Sequence, residues 1–418
     1  MPPTLPGTGL LLASLAFGLS VETLRAARAT TDTARLRLST GPDGRLVLSL
    51  VHRHPDPDLI EELRSRATEE CLVLPAPREL TAAALQGPLA GREIFARLRP
   101  RLARPMTAGR IARYKSEWLR RAGADMAVIG FLTGMDPARR AQMHYTAARR
   151  ADLQGWHARY LGEALGLTAV RPEPGSPEAS GSYGSGIRLD DDILRALFEE
   201  QRRRLRELAT GPVAPLARIA AAHNAFTLYT LMLLYLATGH RPVSHPFELL
   251  SDIDLETGLV WIADKATGPG GRVALLPPVA RVQVAAFRAH LLRLAGMLAL
   301  PTPDLVARRV RPAAVTAGRD GARGELREMN LQAQLAELAD VFPIQLNWTR
   351  HTLRSRLLAD RAAPQAIDAL LGHSHLGEEP FAAGSSFSIG DLRARSLRIE
   401  AALQDWGVSP CQTPLGAR

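Results

Sequence analysis

The sequence predicts a mainly α-helical protein with a small antiparallel β-sheet, an α+β fold, and three observations carry that expectation. Helix-compatible runs recur through the second half of the chain. One stretch, residues 253–276, changes to β-branched and aromatic text around a glycine-proline turn. The composition, 46% hydrophobic and 22% charged over 418 residues at a mean hydropathy of −0.06, suits a chain that buries a sizeable core. At roughly 150 residues per domain, this length implies two to three domains. The balance excludes a collagen, a disulfide scaffold or a wholly disordered chain. No uninterrupted apolar run reaches the ~18 residues of a membrane span, so no membrane role is expected.

Gly9–Val21 is apolar and is followed by Ala26, Ala27 and Ala29, as in a secretory h-region. Met1–Thr8 carries no Lys or Arg, however, and Glu22 and Arg25 extend a helical pattern, so a buried helix is expected rather than a signal peptide. Leu36 and Leu38, then Leu46, Leu48 and Leu50, alternate as strand residues do. Residues 171–187, RPEPGSPEASGSYGSGI, have the composition of a linker. They separate an N-terminal domain, 1–170, from a second domain, 188–407, with 408–418 as a tail.

The second domain opens on a helix over Leu189–Leu208, with Asp190, Asp191 and Asp192 at the dipole's positive end. A very apolar helix over Ala214–Ala237 follows. Ile253–Ile262, the turn Gly268-Pro269-Gly270-Gly271 and Val273–Leu276 form a β-hairpin closed by Pro277 and Pro278. Helices are then expected over Val279–Leu300, Leu331–Phe342, Trp348–Arg361, Pro364–Leu371 and Gly390–Trp406, with Arg311–Gly324 as an arginine-rich loop.

Lys+Arg number 52 against 42 Asp+Glu, giving a net charge of +10 and a pI near 10.4. That favours a polyanionic partner, nucleic acid foremost. Only Lys115 and Lys265 are lysines, and the arginine excess is of the kind GC-rich coding imposes. A lysine that persists against that bias is a candidate for a selected position. Cys71 and Cys411 make neither a disulfide framework nor a zinc site, and point to a reducing compartment such as the cytoplasm. The eleven histidines show no spacing that calls for a metal, and no glycine-rich nucleotide loop is present. No cofactor is expected.

Four pieces of the second half stand out together: Thr238-Gly239-His240-Arg241 at the end of the apolar helix, Lys265 on the hairpin before its turn, Asn347-Trp348-Thr349-Arg350-His351-Thr352 opening a helix, and Leu370-Leu371-Gly372-His373 closing the next. Two arginines can each grip phosphate oxygens, a lysine can protonate a leaving oxygen, and a histidine can hydrogen-bond the same phosphoryl group. Fixed donors of this kind stabilise the charge of a phosphoryl-transfer transition state.

In order and spacing these pieces resemble the catalytic domain of the tyrosine recombinases, the phage-integrase family, over roughly Ala214–Gln404. The resemblance assigns Arg241 and Arg350 as the two arginines, Lys265 as the hairpin lysine and His373 as the Leu-Gly-His histidine. It implies double-stranded DNA as partner. Two departures matter. Asn347 stands where the family's second box begins with histidine; asparagine can hydrogen-bond a phosphate but cannot shuttle a proton. The family's nucleophilic tyrosine is missing, because the last of six tyrosines is Tyr235, and Gly384 occupies the expected position.

The first half carries a fainter likeness to the same pattern. Leu10–Leu24 resembles Met232–Leu249, with Ser20 in the place of Arg241; Arg113 would stand for Arg350 and Met135 for His373, at separations of 22 and 23 residues. Ten residues beyond Met135 is Tyr145, a candidate nucleophile. The first half is therefore either a degenerate copy of the recombinase fold or a helical DNA-clamp domain. The expected function is DNA binding in recombination or integration, as a catalytically deficient accessory subunit beside other recombinase subunits on a bacterial mobile element. The alternatives are an active recombinase with its nucleophile from elsewhere, Tyr145 or a partner protomer, and a decaying gene product with no selected function.

Overall fold

The computed structural model describes residues 8–29, 35–41, 44–52, 70–77, 79–80, 106–136, 140–210, 216–241, 247, 250–263, 271–298, 308–312, 324–328, 331–338, 347–373, 385 and 387–415, and the structural statements below concern these. The chain divides into two compact units, residues 1–186 and 187–418. Both are built of helices with small antiparallel sheets.

The first unit runs α1 (Thr8–Phe17), α2 (Val21–Ala29), β1 (Leu36–Thr40), β2 (Leu46–His52), β3 (Glu70–Pro75), α3 (Ala108–Arg121), α4 (Met126–Leu132), α5 (Ala141–His144), β4 (Ala147–Arg149), α6 (Arg150–Arg159) with a π-helical extension Tyr160–Ala164, and β5 (Ser182–Gly184). The apolar N-terminal stretch is thus two helices rather than one. Gly18 stops α1 in the left-handed region at φ +70°, and a Cβ there would meet the Lys115 side chain at 2.9 Å.

β1, β2 and β3 form an antiparallel sheet in that order, pairing Leu38 with Leu48 and Leu48 with Leu74. Leu38, Leu48, Leu50, Leu72 and Leu74 are all buried, so the period-two alternation marks one core-facing side. The first half is therefore not all helical. Within the stretch read as a linker, Ser182–Gly184 pairs with β4, and buried Tyr183 sets its ring edge-on to Phe131 at 5.2 Å. Proline and glycine there exclude a helix, but they leave room for three residues of strand anchored by one aromatic side chain.

The second unit runs α7 (Asp191–Ala209), α8 (Leu216–Thr238), a 3-10 turn (Leu250–Asp252), β6 (Leu259–Ile262), β7 (Arg272–Leu275), α9 (Pro278–Leu298), β8 (Arg308–Pro312), β9 (Gly324–Glu328), α10 (Leu331–Leu338), α11 (Trp348–Ala359), α12 (Pro364–Leu370) and α13 (Ile389–Asp405). α8 is buried on every side from Ala222 to Thr238. By length and composition it could cross a membrane, yet 89% of its apolar window is buried inside the fold. A helix apolar all round is the core of a larger unit, and α7, α9, α11 and α13 pack around it.

The expected hairpin is β6–β7, with Ile262 opposite Arg272. A second hairpin, β8–β9, occupies the ends of the stretch read as a loop, pairing Val310 with Leu326. RRVRP and GELRE carry too much charge to show an apolar alternation, and their pairing rests on backbone hydrogen bonds beside α8. The segment read as a tail is packed: Val408, Cys411 and Leu415 are buried, Tyr229 Oη donates to Ser409 O at 2.5 Å, and Cys411 N–H donates to Gln283 Oε1 at 2.8 Å.

The two units share a pattern of left-handed residues. In the first, Gly123 (φ +83°) follows α3 and Gly134 (φ +63°) follows α4; in the second, Arg361 (φ +56°) follows α11 and Gly372 (φ +64°) follows α12. Both correspondences have the same offset, 361 − 123 = 372 − 134 = 238. At that offset position 350 falls on Ala112 (350 − 238) rather than on Arg113, and position 373 falls on Met135 (373 − 238).

Candidate phosphate-binding site of the second unit

Three chain ends meet at the candidate site. α8 ends at Gly239 (φ +62°), where a Cβ would lie 2.6 Å from Leu371 Cδ2. Only glycine accepts both that backbone conformation and that approach; the turn it makes delivers Arg241. Asn347 takes the N-cap position of α11, half-buried, and Arg350 follows on the first turn. α12 ends in a left-handed turn that folds the His373 N–H back onto Asp368 O at 2.8 Å and presents the imidazole.

Arg350 is fully buried. Its guanidinium donates to Gly239 O, to Leu371 O at 2.8 Å and to His373 Nε2 at 3.2 Å. The carbonyls at a helix C-terminus lack intrahelical donors and carry the negative end of the dipole. One guanidinium thereby clasps the ends of α8 and α12. Arg272, only 5% exposed, reinforces the clasp: its Nε donates to Leu370 O at 2.7 Å and its NH2 to Gly239 O at 3.2 Å. Arg354 donates to Asp368 at 2.8 Å, and Arg395 donates to Ala366 O at 3.3 Å. Burial, with Arg272 nearby, pushes Arg395 down to about 10.

His373 faces this charge. Burial, and then the cations Arg350, Arg354, Arg241 and Arg272, push its imidazole down to about 2. It is neutral at physiological pH. Because a guanidinium only donates, Nε2 accepts from Arg350 and the ring proton sits on Nδ1. The neutral imidazole adds no charge of its own to the cluster.

The structure thus gathers Arg241, Arg350 and His373 from among the residues singled out by sequence, with Asn347 at the head of the same helix as Arg350. Lys265 and Gly384 lie outside the described residues. Tyr145 belongs to the first unit, where it ends α5 half-buried with its ring edge-on to His144 at 4.9 Å. Arg272, Arg354 and Arg395 were missed. For Arg272 a signal existed: it shares the inward face of β7 with Ala274, and an arginine at an inward strand position needs a partner. The cluster can hold an anion by charge and by the fork of half-buried Arg241. Arg350, with its donors on two carbonyls and His373, works as a clasp in this arrangement.

The first unit repeats the clasp with a different cation. Lys115, fully buried on α3, donates its ammonium to Leu132 O at 2.9 Å and Phe17 O at 3.4 Å, the ends of α4 and α1. It lies one turn beyond Ala112, the counterpart of Arg350. Burial pushes it down to about 7.

No family model matches the chain, and no curated protein matches it. Among solved structures, the crystal structure of the XerH site-specific recombinase bound to its difH substrate in a pre-cleavage complex is similar at 13% identity, over 76% of each chain, with a TM-score of 0.27.

Proposed function

We propose that this protein binds duplex DNA through the arginine cluster of its second unit, as a recombinase-like accessory subunit that does not cleave DNA alone. The observation that carries this reading is the cluster's charge: Arg350, Arg354, Arg241 and Arg272 act on neutral His373, Arg395 lies beside Arg272, and among the described residues Asp368 pairs with Arg354. An excess of positive charge this concentrated suits a phosphate, and backbone contacts give affinity without base readout. The absence of a tyrosine beyond Tyr235 and the glycine at 384 support the loss of cleavage.

Arg241→Ala is the direct test, because Arg241 is half-buried where Arg350 and Arg272 are buried and bonded to the carbonyls of the clasp. Duplex affinity should fall by about 1–3 kcal/mol on every sequence alike, as for a lost charged hydrogen bond. The slope of affinity against salt should shrink by about one phosphate contact. Fluorescence anisotropy between about 50 and 200 mM salt reads both; unchanged affinity in the variant would remove Arg241 from the DNA contact.

A nicked suicide duplex should yield no covalent protein–DNA adduct with the wild-type chain. An adduct that disappears in Tyr145→Phe would replace this reading with a composite active site.

A further inference from the structure

We propose a second nucleic-acid site, on the open face of α3, that binds single-stranded DNA by stacking unpaired bases on Tyr114 and Trp118 while Arg110, Arg113 and Arg121 hold the backbone. The site belongs to the first unit and does not depend on the arginine cluster of the second.

α3 buries Ile111, Lys115 and Leu119, a single stripe. Its counterpart α11 buries every residue from Trp348 to Ser355. At the shared offset of 238, Tyr114 matches Thr352 and Trp118 matches Arg356. In the second unit those two positions are covered by the approach to α7 and its start: Leu189 N–H donates to Thr352 Oγ1 at 3.0 Å, and Asp191 meets Arg356 at 3.7 Å. Among the described residues of the first unit, α1 stands where α8 stands, packed on α3 and tied to it by the buried cation, and no element stands in for α7. Thr352 is buried in the second unit, whereas Tyr114 is 43% exposed in the first; Trp118, like Arg356, is half-buried.

The residues on this face suit one class of occupant. A hollow of about 280 Å³ is lined by Arg110, Arg113, Tyr114, Glu117, Trp118 and Arg121. The one carboxylate, Glu117, takes a hydrogen bond from Arg120 at 2.6 Å, which holds it below the usual carboxylate range and keeps it ionised and paired. The aromatic groups are braced. The Arg159 guanidinium lies between Trp118 and Trp156, 5.6 and 5.3 Å from their rings, and buried Tyr160 lies 5.5 Å from Trp118 and 6.4 Å from Tyr114. Rigid rings flanked by arginines are how proteins hold single strands, since every unpaired base offers a π-face and every nucleotide a charge. Duplex DNA hides those faces in its own stack, and phosphate contacts alone need no exposed tyrosine.

The test uses the full chain with a fluorescein-labelled oligo(dT) of about 12 nucleotides, within the span of single-strand sites, and a blunt duplex, by anisotropy. Tyr114→Ala should weaken oligo(dT) binding about tenfold, in the range for a lost stacking contact, and leave duplex binding unchanged. Arg241→Ala should do the reverse, which separates a failure of this proposal from a failure of the duplex reading. Tyr114 is exposed, and an unfolding curve matching wild type checks that the variant is folded; Arg113→Ala serves as the second variant, also with weaker oligo(dT) binding. Three results would overturn the proposal: no oligo(dT) binding by wild type, binding indifferent to both variants, or equal Tyr114-dependent competition by polyglutamate, which would assign the face to an acidic protein partner.

Discussion

Arg350→Ala should destabilise the second unit by about 2–4 kcal/mol, more than any other single substitution in the cluster. The loss has two sources. Leu371 O, at the buried end of α12, loses its side-chain donor, while Gly239 O at the end of α8 keeps only Arg272, and an unsatisfied buried carbonyl costs about 1–3 kcal/mol. The space vacated by a fully buried guanidinium adds a cavity term. Relief of repulsion among Arg241, Arg272, Arg354 and Arg395 offsets part of it, which sets the upper bound. Arg350→Lys should recover a fraction, because one ammonium cannot reproduce the fork that reaches both carbonyls and His373. Urea unfolding of the full chain, followed through the second unit's transition, measures this. If Arg350→Ala unfolds where wild type does, the guanidinium is not a clasp, and its donors are available to phosphate.

The first unit should gain stability as pH rises from 7 to about 9.5, and Lys115→Met should abolish the gain. Burial lowers the folded-state Lys115 from 10.5 to about 7. Below pH 7 both states hold the proton, and the folded state carries the full cost of a buried ammonium. Between 7 and 10.5 the unfolded chain binds a proton that the folded chain lacks, so stability rises by at most roughly 1.4 kcal/mol per pH unit. Burial raises Tyr160 and Tyr183, and these act in the opposite sense, but only as pH nears the ordinary tyrosine value of about 10. The window from 7 to 9.5 therefore belongs to the lysine. Unfolding midpoints at four or five pH values decide it; a flat wild-type profile would mean that Lys115 keeps its proton through the two carbonyls it binds.

Much of the second unit was legible in the sequence because local rules govern it. An apolar run too uniform for a surface helix became α8, and the β-branched runs on either side of the glycine-proline stretch pair as β6 and β7. Arg241, Arg350 and His373, 132 residues apart at the extremes, could be named together because each follows or opens a helix at a recognisable turn. What each side chain does there was not legible. Whether Arg350 grips a phosphate or two carbonyls depends on how closely the ends of α8 and α12 approach, and Arg272 enters the cluster only because strand pairing turns it inward. The β8–β9 hairpin was invisible for a related reason: its charged residues pair through the backbone, which no side-chain pattern reports. Lys115 shows the same division within one residue. Its rarity in an arginine-rich chain singled it out, but the burial that lowers its pKa, and the clasp it makes between α1 and α4, come from helices brought together by packing over 98 residues of chain.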